Sequence, residues 1–389
     1  MFSAVTNQGK RVILHPFEHT GISDSPPYHC PICNEEVVLK KGKVRRWHFA
    51  HRHHSLCRVA PESEEHLEGK AVLFQWLERQ NVSPRLEVFL PELGRQADIL
   101  FTWNAGTYAV EYQCASIPLE EAVQRTNDYL SHHIQPLWIY SSDRLRFDRS
   151  QRYSIHAFEW TGLREDQTGS RRTALTYFSP VNGRFSFLYP RASLSSAITY
   201  GDLYTADLSC MSISGLVNLP VVVSGERTWI RTWLDTKKKW RYSRSRWHLY
   251  PDTRYLRVLF AKRRSDIPYF PAEAGWPVEG MNHFNTPPHH WQSVVLLSFL
   301  DPLPLYTSFS LQTAVEEFRS AADGILRLKQ SPLVNHPIDK ALEQYFRLLE
   351  KTSLLQKNGD GWKKVKDVYL PASIDEGYKM DEYYFSCLF

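Results

Sequence analysis

Three residues in two neighbouring stretches have the types and spacing for phosphoryl chemistry: Asp98, then Glu111 and Gln113. Side chains alternate along a strand, so Glu111 and Gln113 share a face, and an adjacent strand can bring Asp98 alongside them. Two carboxylates and a backbone carbonyl form a hard oxygen site suited to Mg²⁺ or Mn²⁺. A divalent ion there would polarise a phosphoryl oxygen and activate a water for in-line attack. His66 and Lys70 stand four residues apart and therefore on one face of a helix, where they could position a water or phosphate and add a cation. On spacing alone the pattern is common. The plainer alternative makes Asp98 a strand-end polar residue and Glu111 and Gln113 the solvent side of a half-buried strand.

A second group is Cys30, Cys33, His48 and His51, spaced C-x2-C-x14-H-x2-H. Two thiolates on a tight knuckle and two imidazoles can close a tetrahedral site, so the spacing predicts structural Zn²⁺. His29, His53, His54 and Cys57 are near enough in sequence to replace one of the four. The alternative is a pair of buried free thiols beside a histidine-rich loop. From Lys40 to Arg58 there are seven Lys and Arg and no acid, so Arg45 and Arg46 are candidate phosphate contacts.

The third group is basic and aromatic. Between Arg227 and Arg264 thirteen Lys and Arg face only Asp235 and Asp252, with Trp229, Trp233, Trp240 and Trp247 interleaved. Bases stack on aromatic rings and phosphates meet cations, so Lys237, Lys238, Lys239 and Arg241 are candidate contacts to single-stranded DNA. In the competing arrangement the tryptophans pack into a core and the charges only solvate the outer face. Arg125, four residues before Tyr129, could clamp a phosphate or pair with a local acid.

The elements that must position these groups follow from periodicity. Asn7-Gln8-Gly9 turns a small hairpin over residues 1–20. Ser63 caps a helix that runs to Gln80. Strands are predicted at Arg85–Leu90, Gln96–Trp103 and Tyr108–Cys114, a helix at Leu119–Ser131, and a buried strand at Pro136–Tyr140. A hairpin around Val181-Asn182-Gly183, a basic helix from Trp229 to Trp247, helices at Leu311–Leu328 and Ile338–Leu355, and a short terminal β-element complete the chain. Cys114 follows Gln113 and points the other way, as a buried strand residue rather than a nucleophile.

At 389 residues the chain calls for more than one domain. We divide it into a hairpin and zinc module at 1–60, an α/β domain at 61–150, and a mixed, then mostly helical region at 151–389. Six cysteines are too few for a disulfide scaffold, and no export signal or apolar span is evident, so a cytoplasmic protein with no membrane contact is expected. A net charge of +5 permits nucleic-acid binding without demanding it.

In order along the chain, CPIC, WHFAH, ESEEHLEGK, RQADIL, YAVEYQCASI and PLWIY resemble the successive signatures of the competence protein CoiA family, and WQSVVLLSFL resembles its C-terminal part more loosely. The resemblance implies an α/β (α+β) restriction-endonuclease-like core of the PD-(D/E)XK class. It also implies a role in natural transformation, assisting a recombinase of the RecA type on incoming single-stranded DNA. By position it makes Asp98 and Glu111 the Mg²⁺ or Mn²⁺ ligands and puts Gln113 where the superfamily more usually has Lys, with Lys70 as a candidate replacement cation. Which of Glu62, Glu64, Glu65 and Glu68 reaches the metal is left open. Two functions follow: a metal-dependent DNA nuclease, or a non-catalytic DNA-binding accessory on an inactivated nuclease fold.

Overall fold

The computed structural model describes residues 1–18, 27–42, 46–52, 57, 62–148, 151–166, 172–221, 229–243, 253–322, 326–335 and 337–389. The chain forms two compact units. One comprises Met1–Leu145, Thr161–Leu188 and Leu203–Val221; the other comprises Arg146–Trp160, Tyr189–Asp202 and Val222–Phe389.

The first unit opens with a small antiparallel sheet of β1 (Ser3–Thr6), β2 (Arg11–Ile13), β3 (Tyr28–His29), β4 (Glu36–Lys40) and β5 (His48–His51), in the order β2-β1-β3-β4-β5. The expected Asn7-Gln8-Gly9 turn joins β1 to β2, with Gly9 at a φ of 75° that favours glycine. Helix α1 (Glu64–Arg79) begins at Ser63, whose hydroxyl accepts the His66 amide at 3.1 Å. Leu67, Ala71, Phe74 and Trp76 of α1 are buried. Gly69 is needed because the Tyr112 ring occupies the space a Cβ would fill.

β6 (Arg85–Leu90), β7 (Arg95–Trp103) and β8 (Gly106–Gln113) form antiparallel ladders. β8 then passes through α2 (Leu119–Ser131) to a parallel partner, β9 (Ile134–Ser141), as a crossover helix permits. Beyond β9 lies Thr173–Ser179, also parallel, and this strand pairs in turn with the start of Arg184–Ser193. Nearly all of β9 is buried, as expected of a strand covered on both faces. Tyr129 and Ile134 pack with Ala97, Leu100 and Ala109, which fixes α2 on the sheet.

The second unit has a mostly helical, aromatic-rich core. Trp229, Trp233, Trp276, Trp291 and Phe260 are buried in one cluster with Tyr345, Phe346 and Leu349. Its helices include Trp229–Tyr242, Thr253–Ala261, Pro288–Val294, Leu311–Ala321, Pro337–Lys351 and Ile374–Leu388. The β-element expected near the end is the Leu355–Asn358 and Gly361–Lys364 hairpin, and the chain continues past it into the last helix. WQSVVLLSFL is buried almost throughout and includes a wider-wound turn at Val295–Leu300.

Candidate functional site

The knuckle Cys30-Pro31-Ile32-Cys33 follows β3, and the Ile32 amide points at the Cys30 sulfur at 3.4 Å. Cys33 Sγ lies 3.2 Å from His51 Nε2. One ligand atom from each of Cys30, Cys33, His51 and Cys57 lies within 4.8 Å of the others, so three thiols and one imidazole converge as a tetrahedral donor set requires. Burial pushes the Cys30 thiol up to about 12, so its thiolate needs a cation beside it.

His48 does not join this group. His48 and His51 lie on one continuous strand, and residues three apart there point to opposite faces. Nδ1 of His48 faces the Arg46 carbonyl at 2.8 Å instead. Cys57 takes the remaining place.

The larger site is built on α1 and three strands. The β6–β7 register sets Leu86 opposite Ile99 and Val88 opposite Ala97, and the β7–β8 register sets Ile99 opposite Val110. Glu87, Asp98 and Glu111 therefore come level with one another on adjacent strands.

Helix α1 delivers two cations to this row. Lys70 is fully buried, with Nζ 2.6 Å from Glu62 Oε1, 2.7 Å from Glu87 Oε1 and 3.7 Å from Asp98 Oδ1. His66 lies one turn earlier, with Nε2 3.3 Å from Asp98 Oδ2 and Nδ1 3.4 Å from Glu62 Oε1. Asp98 also accepts the Tyr112 amide at 2.9 Å. One ligand atom from each of Glu62, His66 and Asp98 falls within 4.8 Å of the other two, which makes these residues a candidate metal group.

The electrostatics are reciprocal. Burial alone would lower the His66 pKa, but Asp98 and Glu62 lift it to about 9. Burial likewise works against the Lys70 charge, and Glu62, Glu87 and Asp98 outweigh it and raise its pKa. Against their own desolvation, Glu62 and Asp98 are held below the usual carboxylate range, Glu62 first by Lys70 and Asp98 first by His66. The Met1 amino group adds a contact to Glu62 at 3.1 Å.

Glu111 is level with Asp98 but is held from the other side. Arg125 of α2 donates to its Oε2 at 2.8 Å, and the Tyr129 hydroxyl donates to its Oε1. Burial raises the Glu111 pKa even against Arg125. Gln113 donates its amide to the Ala115 carbonyl at 2.7 Å. Burial pushes the Cys114 thiol up to about 12, consistent with a residue that stays protonated.

Several expected DNA contacts are committed elsewhere. Arg125 also pairs with Glu121 at 2.9 Å, so it is tied to local acids rather than free as a phosphate clamp. Arg46 makes a two-pronged contact with Glu68 at 2.5 and 2.7 Å and covers the Phe17 ring. Arg45 lies outside the described residues.

In the helix Trp229–Tyr242, Trp229, Trp233, Lys237 and Arg241 recur every four residues and form the buried face. Arg241 grips Asp381 at 2.5 and 2.8 Å and donates to the Pro268 and Phe270 carbonyls. Lys237 reaches Asp381 at 2.9 Å and the Ala272 carbonyl at 2.7 Å. Lys237 and Arg241 are thus core residues, whereas Lys238 and Lys239 are exposed.

Two acids of the site escape sequence reasoning in different ways. Among the four glutamates around His66, Glu62 joins the cluster, while Glu65 receives the Ser141 hydroxyl and Glu68 binds Arg46. Glu87 gives no positive signal. In RLEVFL it alternates with Leu86, Val88 and Leu90 and reads as solvent-facing, yet it is fully buried.

Family models of the competence protein CoiA match along the chain: its N-terminal domain at residues 18–60, its nuclease-like domain at 62–220 and its C-terminal domain at 230–374. Competence protein CoiA of Bacillus subtilis (strain 168) is 30% identical over 287 residues, spanning 70% of this chain and 72% of that protein. No solved structure matches the chain.

Proposed function

The chain belongs to the competence protein CoiA family, and from that premise we propose that its nuclease-like domain is a metal-dependent DNA-processing site that cleaves phosphodiesters. The observation that supports this is the convergence of Glu62, His66 and Asp98 with Lys70 held 3.7 Å from Asp98. These residues fit a divalent cation, which when bound would polarise a phosphoryl oxygen and lower the pKa of a water. An imidazole nitrogen between two carboxylates favours Mn²⁺ over Mg²⁺, which prefers an all-oxygen shell. Lys70 supplies the fixed positive charge that Gln113 lacks, acting from 3.7 Å behind Asp98 on the charge that grows in the transition state. Tyr129 and Arg125 hold Glu111 in one orientation at the neighbouring position.

For the knuckle we propose Zn²⁺ in a structural role, since three thiolates and an imidazole are its usual closed donor set. We place the protein in the cytoplasm, acting on incoming single-stranded DNA and assisting a recombinase of the RecA type. Among the described residues, no helix is long and apolar enough to cross a membrane.

A second function has an observation of its own. Both Glu111 oxygens are taken by Arg125 and Tyr129, and Gln113 is uncharged, as suits a DNA-binding accessory that does not cleave. The test is cleavage of single- and double-stranded DNA with Mn²⁺ or Mg²⁺ by wild type, Asp98→Asn and Glu111→Gln. Metal-dependent cleavage lost in Asp98→Asn is expected. Retained DNA binding without any cleavage by wild type would leave the accessory role.

A further inference from the structure

Glu87 is the most heavily engaged carboxylate in the first unit, and the proposed chemistry does not use it directly. Its Oε1 accepts the Phe2 amide at 2.6 Å and Lys70 Nζ at 2.7 Å. Its Oε2 accepts the Ser3 amide and the Ser3 hydroxyl, both at 2.9 Å, and the Gln96 side-chain amide at 3.3 Å. The Arg11 guanidinium donates to its backbone carbonyl. Its backbone is strained: φ is 48° in the middle of a strand, a region that non-glycine residues avoid. Such a conformation persists where the surroundings over-determine it, and these clusters of contacts occur at functional sites.

We propose that Glu87 is a positioning residue, clamped by the N-terminal strand, that holds the Lys70 ammonium back from direct contact with Asp98 while keeping it within reach. The proposal rests on Lys70 as the cation of the site. Lysine is a flexible point charge on a four-carbon stem, so its location is set by its partners. Lys70 Nζ is bonded to Glu62 at 2.6 Å and to Glu87 at 2.7 Å, and these two contacts leave it 3.7 Å from Asp98 rather than in direct contact. Without the Glu87 charge, Lys70, already bonded to Glu62, closes on Asp98 as well and competes with a cation for its oxygens. The N-terminal module thereby becomes one wall of the site, since β1 and the Phe2 amide just before it supply three of the donors that fix Glu87.

The test combines a spectroscopic readout with Mn²⁺ binding. In protein labelled with ¹⁵N-lysine, Lys70 should give a slowly exchanging side-chain ammonium resonance, assigned by its absence from the double variant Lys70→Met with Glu87→Gln. Glu87→Gln should shift or broaden that resonance and weaken Mn²⁺ binding about tenfold. Ser3→Ala, which removes one donor to Glu87, should move the resonance in the same direction by less. Should Glu87→Gln fail to fold, Ser3→Ala decides. An unchanged Lys70 resonance in a folded Glu87→Gln or in Ser3→Ala would overturn the proposal. Both readouts are independent of cleavage, so a wild type that binds Mn²⁺ but cuts no DNA would refute only the nuclease function.

Discussion

Replacing Arg241 with methionine should unfold this protein far more readily while leaving the electrostatics of the proposed DNA binding intact, and replacing Lys238 and Lys239 should do the reverse. Arg241 is fully buried and makes four hydrogen bonds, two of them to Asp381. Its loss leaves Asp381 buried with Lys237 as its remaining cation and two carbonyls without their donor. Breaking a buried pair by removing one partner costs about 3–5 kcal/mol. By contrast, Lys238 and Lys239 are exposed, and changing both to glutamine should alter stability by less than about 0.5 kcal/mol. If both contact phosphates of single-stranded DNA, their loss should reduce the slope of log K against log salt by about 1.4. Urea unfolding measures the first quantity, and binding of a labelled oligonucleotide at several salt concentrations measures the second. An unchanged urea midpoint in Arg241→Met together with a flattened salt dependence would refute this assignment, because it would place the guanidinium at the DNA rather than in the core.

Two further outcomes follow from the geometry. Cys57→Ser should lose the knuckle metal, measured as bound zinc per chain, whereas His48→Ala should keep it; the opposite pattern would reinstate His48 as a ligand. In metal-free protein, His66 is raised from its ordinary 6.5 to about 9. The stabilisation it contributes is therefore complete below pH 6.5 and is lost as pH rises through about 9, a change on the order of 3 kcal/mol. Urea unfolding of wild type should weaken across that window, and His66→Gln should flatten the dependence; a wild type equally stable at pH 6.5 and pH 9 would contradict the ion pair with Asp98.

The order of elements from Ser63 to Ser141 was legible because it is written in local chemistry. The Ser63 cap, the alternation in Arg85–Leu90, the β-formers around Glu111 and the helix at Leu119–Ser131 are each short-range signals, and each element lies where those signals put it. The pairing of β7 with β8 followed from adjacency in sequence, which is why Asp98 and Glu111 could be expected level with each other. The basic helix that carries Trp229, Trp233, Lys237 and Arg241 was equally visible. Its meaning was not, because only Asp381, 140 residues after Arg241, makes burial of two cations tolerable.

What the sequence determined by itself was thus the run of elements from Ser63 to Ser141, the Cys30–Cys33 knuckle and the carboxylates that share a sheet. Tertiary structure decided which groups meet. It chose Cys57 over His48, because strand geometry turns His48 away. It selected Glu62 from four neighbouring glutamates, and it turned Glu87 from an apparent surface residue into the anchor of Lys70. Each of these choices depends on a contact between residues far apart in the chain, and local spacing carries no record of such a contact.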